Sequence, residues 1–408
     1  WPGDPRTAAA PTDACLDGSV DNTVNVELAY GQGWLPVSLP ADAHVTVVEP
    51  TYHPAVPDEA AYLREVLSNP IAGRRLRDRV KPGQTMAISM CDLTRPQPRD
   101  LMIPAILDEV AGIIDPDDIV VLVATGTHRG NTDDEIRQML GDELAARLHI
   151  VNHDARDKAS LTWMGEFGNG VPVWLNTLWA EAEIKVTTGF VEPHFFAGFS
   201  GGPKLVAPGL AGLDTVLTLH NAARIGDQRA TWGEIDDNPV HSDIRAIAAG
   251  TGVTFAFDVI LNRDEKIVKG FAGDLFEMHE AARAAAREIA MAPVDGLFDI
   301  VITTNSGFPL DQNLYQAVRE CRRPSPLSSP AARSSAPPNA ATASPITGRI
   351  GRCWPRRPHR RHCLPTSRRA SRPFPTSGRY RSRPRSSRAP TSSCTPRICR
   401  TPNSRRRT

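Results

Sequence analysis

Along residues 60–305, short apolar runs alternate with longer stretches in which apolar residues recur every three or four positions. Short apolar runs between polar turns are typical of strands buried on both faces of a parallel sheet. The longer stretches have the periodicity of amphipathic helices. The sequence therefore predicts an α/β fold, a parallel sheet with helices on both faces. The predicted strands are TMAISM (85–90), DIVVLVAT (118–125), HIVNH (149–153), EIKVTTGF (183–190), VTFAFDVILN (253–262) and FDIVITTN (298–305).

Helical periodicity fills most of the gaps between these runs, and one hairpin precedes them. Residues 25–40, NVELAYGQGWLPVSLP, alternate in polarity around a glycine turn, which predicts a β-hairpin at the edge of the domain. The predicted helical segments are 61–70, 71–80, 101–114, 133–148, 174–182, 241–252 and 276–291.

The proline and glycine of MAPVDGLFD (291–299) indicate the entry into a second α/β domain, which is cut off soon afterwards. We predict four regions on this basis. They are a loose leader over residues 1–24, a main α/β domain over 25–292, the start of a second, truncated α/β domain over 293–320, and a disordered Arg/Pro/Ser-rich tail over 321–408.

Charge is divided very unevenly along the chain. Residues 321–408 hold 22 of the 47 basic residues, all of them arginine, and no acidic residue. The first 320 residues therefore carry 25 basic against 46 acidic side chains, although the net charge of the whole chain is only +1. The change of composition falls inside LYQAVRECRRPSP (314–326), where a helical pattern has just begun.

Two explanations of this tail are open. An arginine-rich disordered arm is typical of proteins that bind nucleic acid. Arg, Pro, Ser and Ala without Lys or acids are also what GC-rich DNA encodes when it is translated out of frame. From Pro330 to Trp354, allowed codon choices in the shifted frame give a string with acidic residues and strand-like patterning. We favour the frameshift, and expect the tail to be disordered because its scattered apolar residues cannot form a core.

Cysteine usage and hydropathy exclude some classes of protein. Five of the seven cysteines lie in the tail, and the body has only Cys15 and Cys91, which argues against a disulfide framework. No apolar run reaches the length of a membrane span. Residues 1–14 lack the apolar core of a signal peptide. We therefore expect a cytoplasmic protein.

Polar, glycine-containing loops follow four of the predicted strands. Because the carboxyl ends of parallel strands meet at one edge of a sheet, these loops are expected at the usual ligand site of such folds. They are CDLTRP (91–96), ATGTHR (124–129), GFVEPHFFAGFSGGPK (189–204) and SGFPLDQNLYQ (306–316).

The third loop carries the densest chemistry, a glycine-rich turn flanked by His194, Lys204 and His220. Glycines let the backbone approach a ligand closely, and successive N–H groups in such a turn form an anion-binding nest. Lysine adds an amine that binds phosphate or acts as a nucleophile, and histidine adds a proton carrier or metal ligand. A plain strand-to-helix turn has similar glycines, so this motif alone leaves both interpretations open.

Together, DLTRP, ATGTHR, HFFAGFSGGPK, a histidine sixteen residues after the lysine, and PLDQNLYQ resemble the lactate racemase family over residues 25–319. The resemblance implies two α/β domains with ligands in the cleft between them, and makes residues 25–292 the cofactor-binding domain. It implies a nickel-pincer nucleotide, Ni bound to pyridinium-3-thioamide-5-thiocarboxylic acid mononucleotide. It also implies a racemase or epimerase of a lactate-like 2-hydroxy acid, acting by hydride transfer to the cofactor's pyridinium ring.

The resemblance also implies roles for individual residues. Lys204 matches the lysine that carries the cofactor covalently, and His220 matches the nickel ligand. His128 and His194 match the catalytic pair, one acid or base for each enantiomer, which suits the near-neutral titration of imidazole. Taken singly, each of these residues has an ordinary structural alternative.

Other positions match the binding surfaces of the family. Arginine suits a carboxylate because its planar guanidinium binds both oxygens. The family often has lysine where Arg319 stands, which leaves open which 2-hydroxy acid is the substrate. The substrate-binding positions are Arg95, Gln316 and Arg319, and the cofactor-binding positions besides Lys204 are Asp92, Thr94, Gly126, Ser200, Gly201 and Gly202.

A different class of function also fits the sequence. A chain that lacks most of its second domain is an inactive remnant or a non-catalytic nucleotide-binding module. The expected partners are a small-molecule 2-hydroxy acid and the enzymes that make the cofactor. A membrane is not expected, and nucleic acid is expected only if the tail is genuine.

Overall fold

The computed structural model describes residues 23–308, residue 311 and the backbone of residues 328–335. The strands are β1 (Thr23–Tyr30), β2 (Gly33–Pro40), β3 (Met86–Cys91), β4 (Ile119–Ala124), β5 (His149–Asn152), β6 (Leu161–Phe167), β7 (Val171–Asn176), β8 (Ile184–Phe190), β9 (Pro193–His194), β10 (Gly198–Phe199), β11 (Phe255–Leu261), β12 (Ile267–Gly273), β13 (Phe298–Ile302) and β14 (Ser328–Ser335). The helices are α1 (Glu59–Ser68), α2 (Arg99–Val110), α3 (Asp133–Leu140), α4 (Asp142–Arg147), α5 (Thr177–Glu181), α6 (Leu213–Leu219), α7 (Ala222–Ile225), α8 (Pro239–Thr251) and α9 (Leu275–Ala290), with 3₁₀ turns at Leu76–Asp78, Pro116–Asp118, Lys158–Ser160 and Gly202–Leu205.

The central sheet has the spatial order β12-β11-β8-β3-β4-β5. Its neighbours are parallel except for β11 and β12, which are antiparallel. Every residue of β3 is buried, as expected for a strand covered on both faces. After β5 the chain returns to the other side of β3 and adds β8, so the strand order reverses between β3 and β8. Ligands of open α/β sheets bind in the crevice at such a reversal.

Helices cover both faces of this sheet and form two apolar cores. One core contains Leu67 of α1 and Met102 of α2, both packed against the sheet. The other contains Ile247 of α8 and Met278 of α9, together with the β6–β7 hairpin. The predicted fold class, a parallel sheet with helices on both faces, is confirmed.

Three predicted helices are wrong in part, two of them because backbone hydrogen bonds are made elsewhere. In residues 71–80 only a 3₁₀ turn forms, since Ile71 donates its N–H to the Ala272 carbonyl (2.8 Å) at the β12 edge. In residues 174–182 the first three residues extend β7, and Asn176 then caps α5 through its side-chain oxygen. The predicted helix 133–148 is divided at Gly141, which takes a φ of 80°.

The predicted hairpin over residues 25–40 is confirmed as β1 paired antiparallel with β2. Its tip contacts the beginning of the predicted second domain. The Gly31 N–H donates to Asp311 Oδ2 (2.6 Å), and the Gly31 carbonyl accepts from the Phe308 N–H (2.7 Å). These bonds join the start of the described chain to the segment that follows β13.

One strand falls within the tail that was predicted to be disordered. β14 pairs in parallel with β13, so the structure differs from that prediction over these eight residues. Strand pairing uses backbone N–H and C=O groups, which every residue except proline supplies in full, so a composition poor in apolar residues does not prevent it. The rest of the tail, and residues 1–22 of the predicted leader, lie outside the described residues.

Within residues 23–308, no helix combines the length and the apolar character needed to cross a bilayer.

Candidate active site

The loops after β3, β4 and β8 meet at the reversal of strand order, and the loop after β3 is anchored firmly. Gln97 donates from Nε2 to Thr188 Oγ1 (2.8 Å) on β8 and accepts at Oε1 from the Cys91 N–H (2.8 Å). Arg99, which is buried, donates from Nε to the Cys91 carbonyl (2.8 Å). These bonds fix the backbone on both sides of Asp92.

Asp92 and His128 form a hydrogen-bonded pair across the ends of β3 and β4. His128 Nδ1 lies 2.6 Å from Asp92 Oδ2, and Thr94 Oγ1 donates to the other carboxylate oxygen (2.7 Å). Burial of Asp92 pushes its pKa up, but the hydrogen bonds from His128 and Thr94 outweigh burial and hold the pKa below its usual value. An ionised carboxylate at Nδ1 keeps a proton on that nitrogen, so Nε2 is left as a proton acceptor.

Phe196 is the centre of a second cluster, on the loop after β8. The His194 ring lies 4.5 Å from the Phe196 ring between centroids, and the His220 ring lies 5.1 Å from it, both edge-on. Lys204 Nζ is 5.9 Å from the same ring centroid. Phe196 is buried, so one aromatic side chain brings three of the predicted functional residues together.

The His194 ring is oriented by its own loop. Its Nδ1 accepts from the backbone N–H groups of Ala197 (3.2 Å) and Phe196 (3.4 Å). A neutral imidazole that accepts at Nδ1 carries its proton on Nε2. In this arrangement His194 presents a donor, whereas His128 presents an acceptor.

His220, at the end of α6, is held as a neutral imidazole. Its Nδ1 lies 2.8 Å from the Val216 carbonyl, which requires an N–H at that position. Burial lowers the pKa of His220, and the nearby Lys204 charge lowers it further. Neutral imidazole with one nitrogen donating to a backbone carbonyl is the usual state of a metal-binding histidine, because the other nitrogen keeps its lone pair.

The glycine turn before Lys204 uses its N–H groups within the protein. The Ser200 N–H donates to the Glu192 carbonyl (2.9 Å), and the Gly202 N–H donates to Asp258 Oδ2 (2.6 Å). The Gly126 N–H donates to the Gly209 carbonyl (2.9 Å). In this structure the amides of Ser200, Gly202 and Gly126 all donate to protein oxygens, and the assignment of these residues to cofactor binding stays a prediction.

The same backbone bonds connect the two clusters. Gly209, which accepts from Gly126 on the His128 loop, also donates its N–H to the Lys204 carbonyl (3.1 Å). The loop after β4 is thus hydrogen-bonded to the turn that carries Lys204. Gly126 takes a φ of 56°, a conformation that favours glycine.

The predicted substrate-binding residues are only partly described. The Arg95 N–H donates to the Asp92 carbonyl (3.2 Å), and its charge is one of the influences that lower the pKa of Asp92. Gln316 and Arg319 lie outside the described residues. The remaining predicted positions are Thr94, which contacts Asp92, and Gly201, whose φ of 73° shapes the turn.

Three residues of this region were not predicted from the sequence: Phe196, Asp258 and His279. Phe196 lies within the motif HFFAGFSGGPK, but an aromatic side chain there indicated no particular role. Asp258 was visible as the one acidic residue of the apolar run VTFAFDVILN, and His279 as a histidine on the core-facing side of a predicted helix. Within the described residues, no group of three or more His, Cys, Asp or Glu side chains is arranged to hold a metal.

Comparison with known proteins gives this geometry a family context. Residues 30–233 match the family model of the lactate racemase N-terminal domain, and residues 295–324 match that of the lactate racemase C-terminal domain. A lactate racemase from Thermoanaerobacterium thermosaccharolyticum is 34% identical over 298 residues, which is 72% of this chain and 70% of that protein. One from Lactiplantibacillus plantarum is 34% identical over 269 residues, 66% of this chain and 63% of that protein. The structure of the T. thermosaccharolyticum lactate racemase apoprotein aligns with a TM-score of 0.71 at 32% identity, covering 77% of this chain and 74% of that one.

Proposed function

Because the chain belongs to the lactate racemase family, a family of isomerases, we propose that it racemises or epimerises a 2-hydroxy acid with a covalently held nickel-pincer nucleotide. The observation that carries this proposal is the pairing of His128 with a buried carboxylate, next to a turn that joins His194, Lys204 and His220 around Phe196. This set supplies a proton acceptor, a proton donor, an amine and a neutral imidazole at one sheet edge.

The residues present fit the cofactor. A pincer ligand brings most of the donors of its metal, so one protein imidazole is sufficient, and His220 has the neutral, carbonyl-anchored form that this requires. Lys204, half-buried beside His220, would carry the covalent link. When bound, the group supplies an acceptor for the hydride of the substrate C2 carbon.

Proton movement falls to the two histidines. With its Nδ1 proton directed at Asp92, His128 takes the substrate hydroxyl proton at Nε2, and the carboxylate stabilises the imidazolium that results. The planar 2-oxo acid then presents both faces. His194, with its proton on Nε2, donates toward the substrate oxygen on the other side.

The two histidines are not equivalent in this arrangement. For His194 to act as the base at Nε2, its Nδ1 must carry a proton and release the Ala197 and Phe196 amides. For His128 no such rearrangement is needed. We therefore propose that the resting chain accepts the enantiomer whose hydroxyl faces His128 directly, whereas the other enantiomer requires the His194 proton to move from Nε2 first.

Binding of the substrate carboxylate is assigned to three residues. Arg95 lies on the anchored loop after β3 and offers a bidentate guanidinium. Gln316 and Arg319 follow β13 in sequence, in the part matched to the C-terminal domain family. Arginine at 319 reaches farther than lysine and binds two oxygens, which extends the expected substrates beyond lactate to other 2-hydroxy acids.

The test measures whether the cofactor becomes covalently attached and what happens to the hydrogen on the substrate C2 carbon. The chain is produced together with enzymes that make the nickel-pincer nucleotide, and intact mass and nickel content are measured. D- and L-2-hydroxy acids deuterated at C2 are then incubated in ordinary water and separated by chiral chromatography. Interconversion with deuterium retained supports hydride transfer, and interconversion with deuterium washed out contradicts it. A loaded protein that interconverts no 2-hydroxy acid contradicts the proposed activity.

A second candidate, an inactive remnant, is favoured by one observation. The match to the C-terminal domain family ends at residue 324, close to residue 321, where acidic residues and lysine disappear from the sequence. A shifted reading frame from this point would remove most of one cleft wall. Sequencing the locus distinguishes a frameshift from a genuine arginine-rich segment, and steep salt-dependent DNA binding that requires residues 321–408 would favour the latter.

A further inference from the structure

Two buried polar side chains hold the glycine turn from the core side. Asp258, on β11, accepts the Gly202 N–H at Oδ2 (2.6 Å). His279, on α9, donates from Nε2 to the Ser200 carbonyl (2.9 Å). One side chain accepts from the turn and the other donates to it, so the Ser200–Gly202 backbone is held at both ends.

Both side chains are polar although they lie in the core, where an apolar residue would usually be more favourable. Asp258 is 0% exposed and His279 is 1% exposed. Asp258 lies on a strand whose neighbours Phe257 and Val259 are also fully buried. Burial raises the pKa of Asp258 to about 7, opposed by hydrogen bonds from the Gly202 and Gly189 amides. A buried carboxyl group costs stability that an apolar residue would not. The role of Asp258 is therefore expected to lie in the backbone that it binds, at Gly202.

The turn rests directly on both side chains. A Cβ added to Gly201 would lie 2.6 Å from Asp258 Oδ2, and one added to Gly202 would lie 2.6 Å from the His279 ring. Both glycines have positive φ, 73° and 50°. Because there is no gap between the turn and these two residues, a change in either side chain is transmitted to the backbone.

Lys204 follows immediately from this backbone. Its N–H donates to the Gly201 carbonyl (3.1 Å), which begins the 3₁₀ turn Gly202–Leu205. The direction of the Lys204 side chain is therefore set by the turn that Asp258 and His279 hold.

We propose that Asp258 and His279 are positioning residues that fix the Ser200–Gly202 turn and so direct the Lys204 amine toward the site of cofactor attachment. The proposal rests on the proposed function in assigning that attachment to Lys204. It adds two core residues, 56 and 79 positions away from their partners in the turn, to the machinery of the site.

The experiment uses pairs of variants that keep or remove one hydrogen bond. Asp258→Asn keeps an oxygen acceptor for the Gly202 N–H, and Asp258→Val removes it. His279→Gln keeps a donor near the position of Nε2, and His279→Phe removes it while keeping a ring. Glu109→Gln is the control, because it weakens a partly buried ion pair with Arg75 on the other side of the sheet.

Three quantities are measured on full-length chains that circular dichroism shows to be folded. The first is hydrogen exchange of peptides covering residues 198–206. The second is the rate at which an amine-specific reagent modifies Lys204 in the cofactor-free chain, followed by peptide mass spectrometry. The third is the fraction of chain with covalent cofactor after production with the cofactor-making enzymes. The first two do not depend on the cofactor.

Asp258→Val and His279→Phe should each raise exchange and Lys204 modification roughly fivefold, the factor expected for losing one net hydrogen bond, and should lower the attached fraction. Asp258→Asn, His279→Gln and Glu109→Gln should stay within about twofold of the native chain. The proposal is overturned if folded Asp258→Val and His279→Phe leave Lys204 modification unchanged, or if Glu109→Gln changes it equally. If the native chain never acquires an adduct, the proposed function fails, while exchange and modification still decide the positioning.

Discussion

Replacing His279 by Gln should make the folded chain less sensitive to acid. Burial lowers the pKa of His279 to about 3, and the positive charges of Arg283 and Arg245 act in the same direction, as does His241, whose ring stacks 6.3 Å away. In the unfolded chain histidine has a pKa of about 6.5. Between these values the unfolded state takes up a proton that the folded state excludes. His279 therefore costs no stability above about pH 6.5, and it destabilises the folded chain increasingly as the pH falls below that value.

The size of the effect depends on how far the pH lies below the pKa of histidine in the unfolded chain. At about pH 5.5, one unit below that value, the exclusion of one proton costs about 1.4 kcal/mol. The native chain should lose this amount between about pH 7.5 and 5.5 through His279, and His279→Gln should not. His241, whose pKa burial lowers to about 4, titrates in both proteins and cancels in the comparison.

The contribution of Asp258 to stability should change with pH in the opposite direction, so the two residues provide independent tests. Burial raises its pKa to about 7 from an unfolded value of about 3.9, so its contribution is complete at low pH and is lost as the pH rises toward 7. Acidification from about pH 7.5 to 5.5 should therefore stabilise the native chain by about 2 kcal/mol through Asp258, a gain that Asp258→Asn lacks.

The assay is urea unfolding of the native chain and both variants at the two pH values, followed by tryptophan fluorescence. Equal slopes against urea would establish that the proteins unfold to comparable states. On acidification, the free energy of unfolding of His279→Gln should fall less than that of the native chain. The free energy of unfolding of Asp258→Asn should fall more. Parallel pH profiles for all three proteins would refute the assigned pKa shifts, and so would shifts of the same sign in both variants.

The remaining predictions concern the site. Lys204→Ala should abolish the covalent adduct in intact mass spectra, whereas His128→Ala and His194→Ala should keep it and lose turnover by roughly 10²–10⁴-fold, the usual contribution of a general acid or base. Asp92→Asn should reduce turnover strongly with the adduct intact, because an amide oxygen cannot stabilise the His128 imidazolium as a carboxylate does, and an unchanged pH–rate profile would contradict this. Restoring the alternative reading frame after residue 320 should raise activity at least about 10²-fold on the same 2-hydroxy acid, because a complete cleft positions the substrate and excludes water. Equal activity of the two chains would show that the sequence after residue 320 does not complete the cleft.

The sequence was sufficient to predict the strands that carry the site, because their signals are local. β3, β4 and β8 are apolar runs, each followed directly by a polar loop, and the carboxyl-end rule then brings the loops together. Their spatial order, and β12 at the antiparallel edge, were not predicted. Order depends on which helix covers which face, and the β12 sequence IVKGFAG has a lysine and two glycines that weaken its strand pattern.

The glycine turn shows where a local pattern stops being informative. Successive glycines indicate a backbone that can approach a negative charge, but not which negative charge it approaches. In the structure the oxygen at the Gly202 N–H belongs to Asp258, 56 residues along the chain. That residue was visible in the sequence as a lone acid in the apolar run 253–262, a placement that demands a buried hydrogen-bond donor. An unpaired glycine nest and an unpaired buried acid are complementary, and considering both together predicts the contact that neither predicts alone. Since the Lys204 3₁₀ turn begins at the same glycine, the acid that satisfies the nest also belongs to the framework of the site.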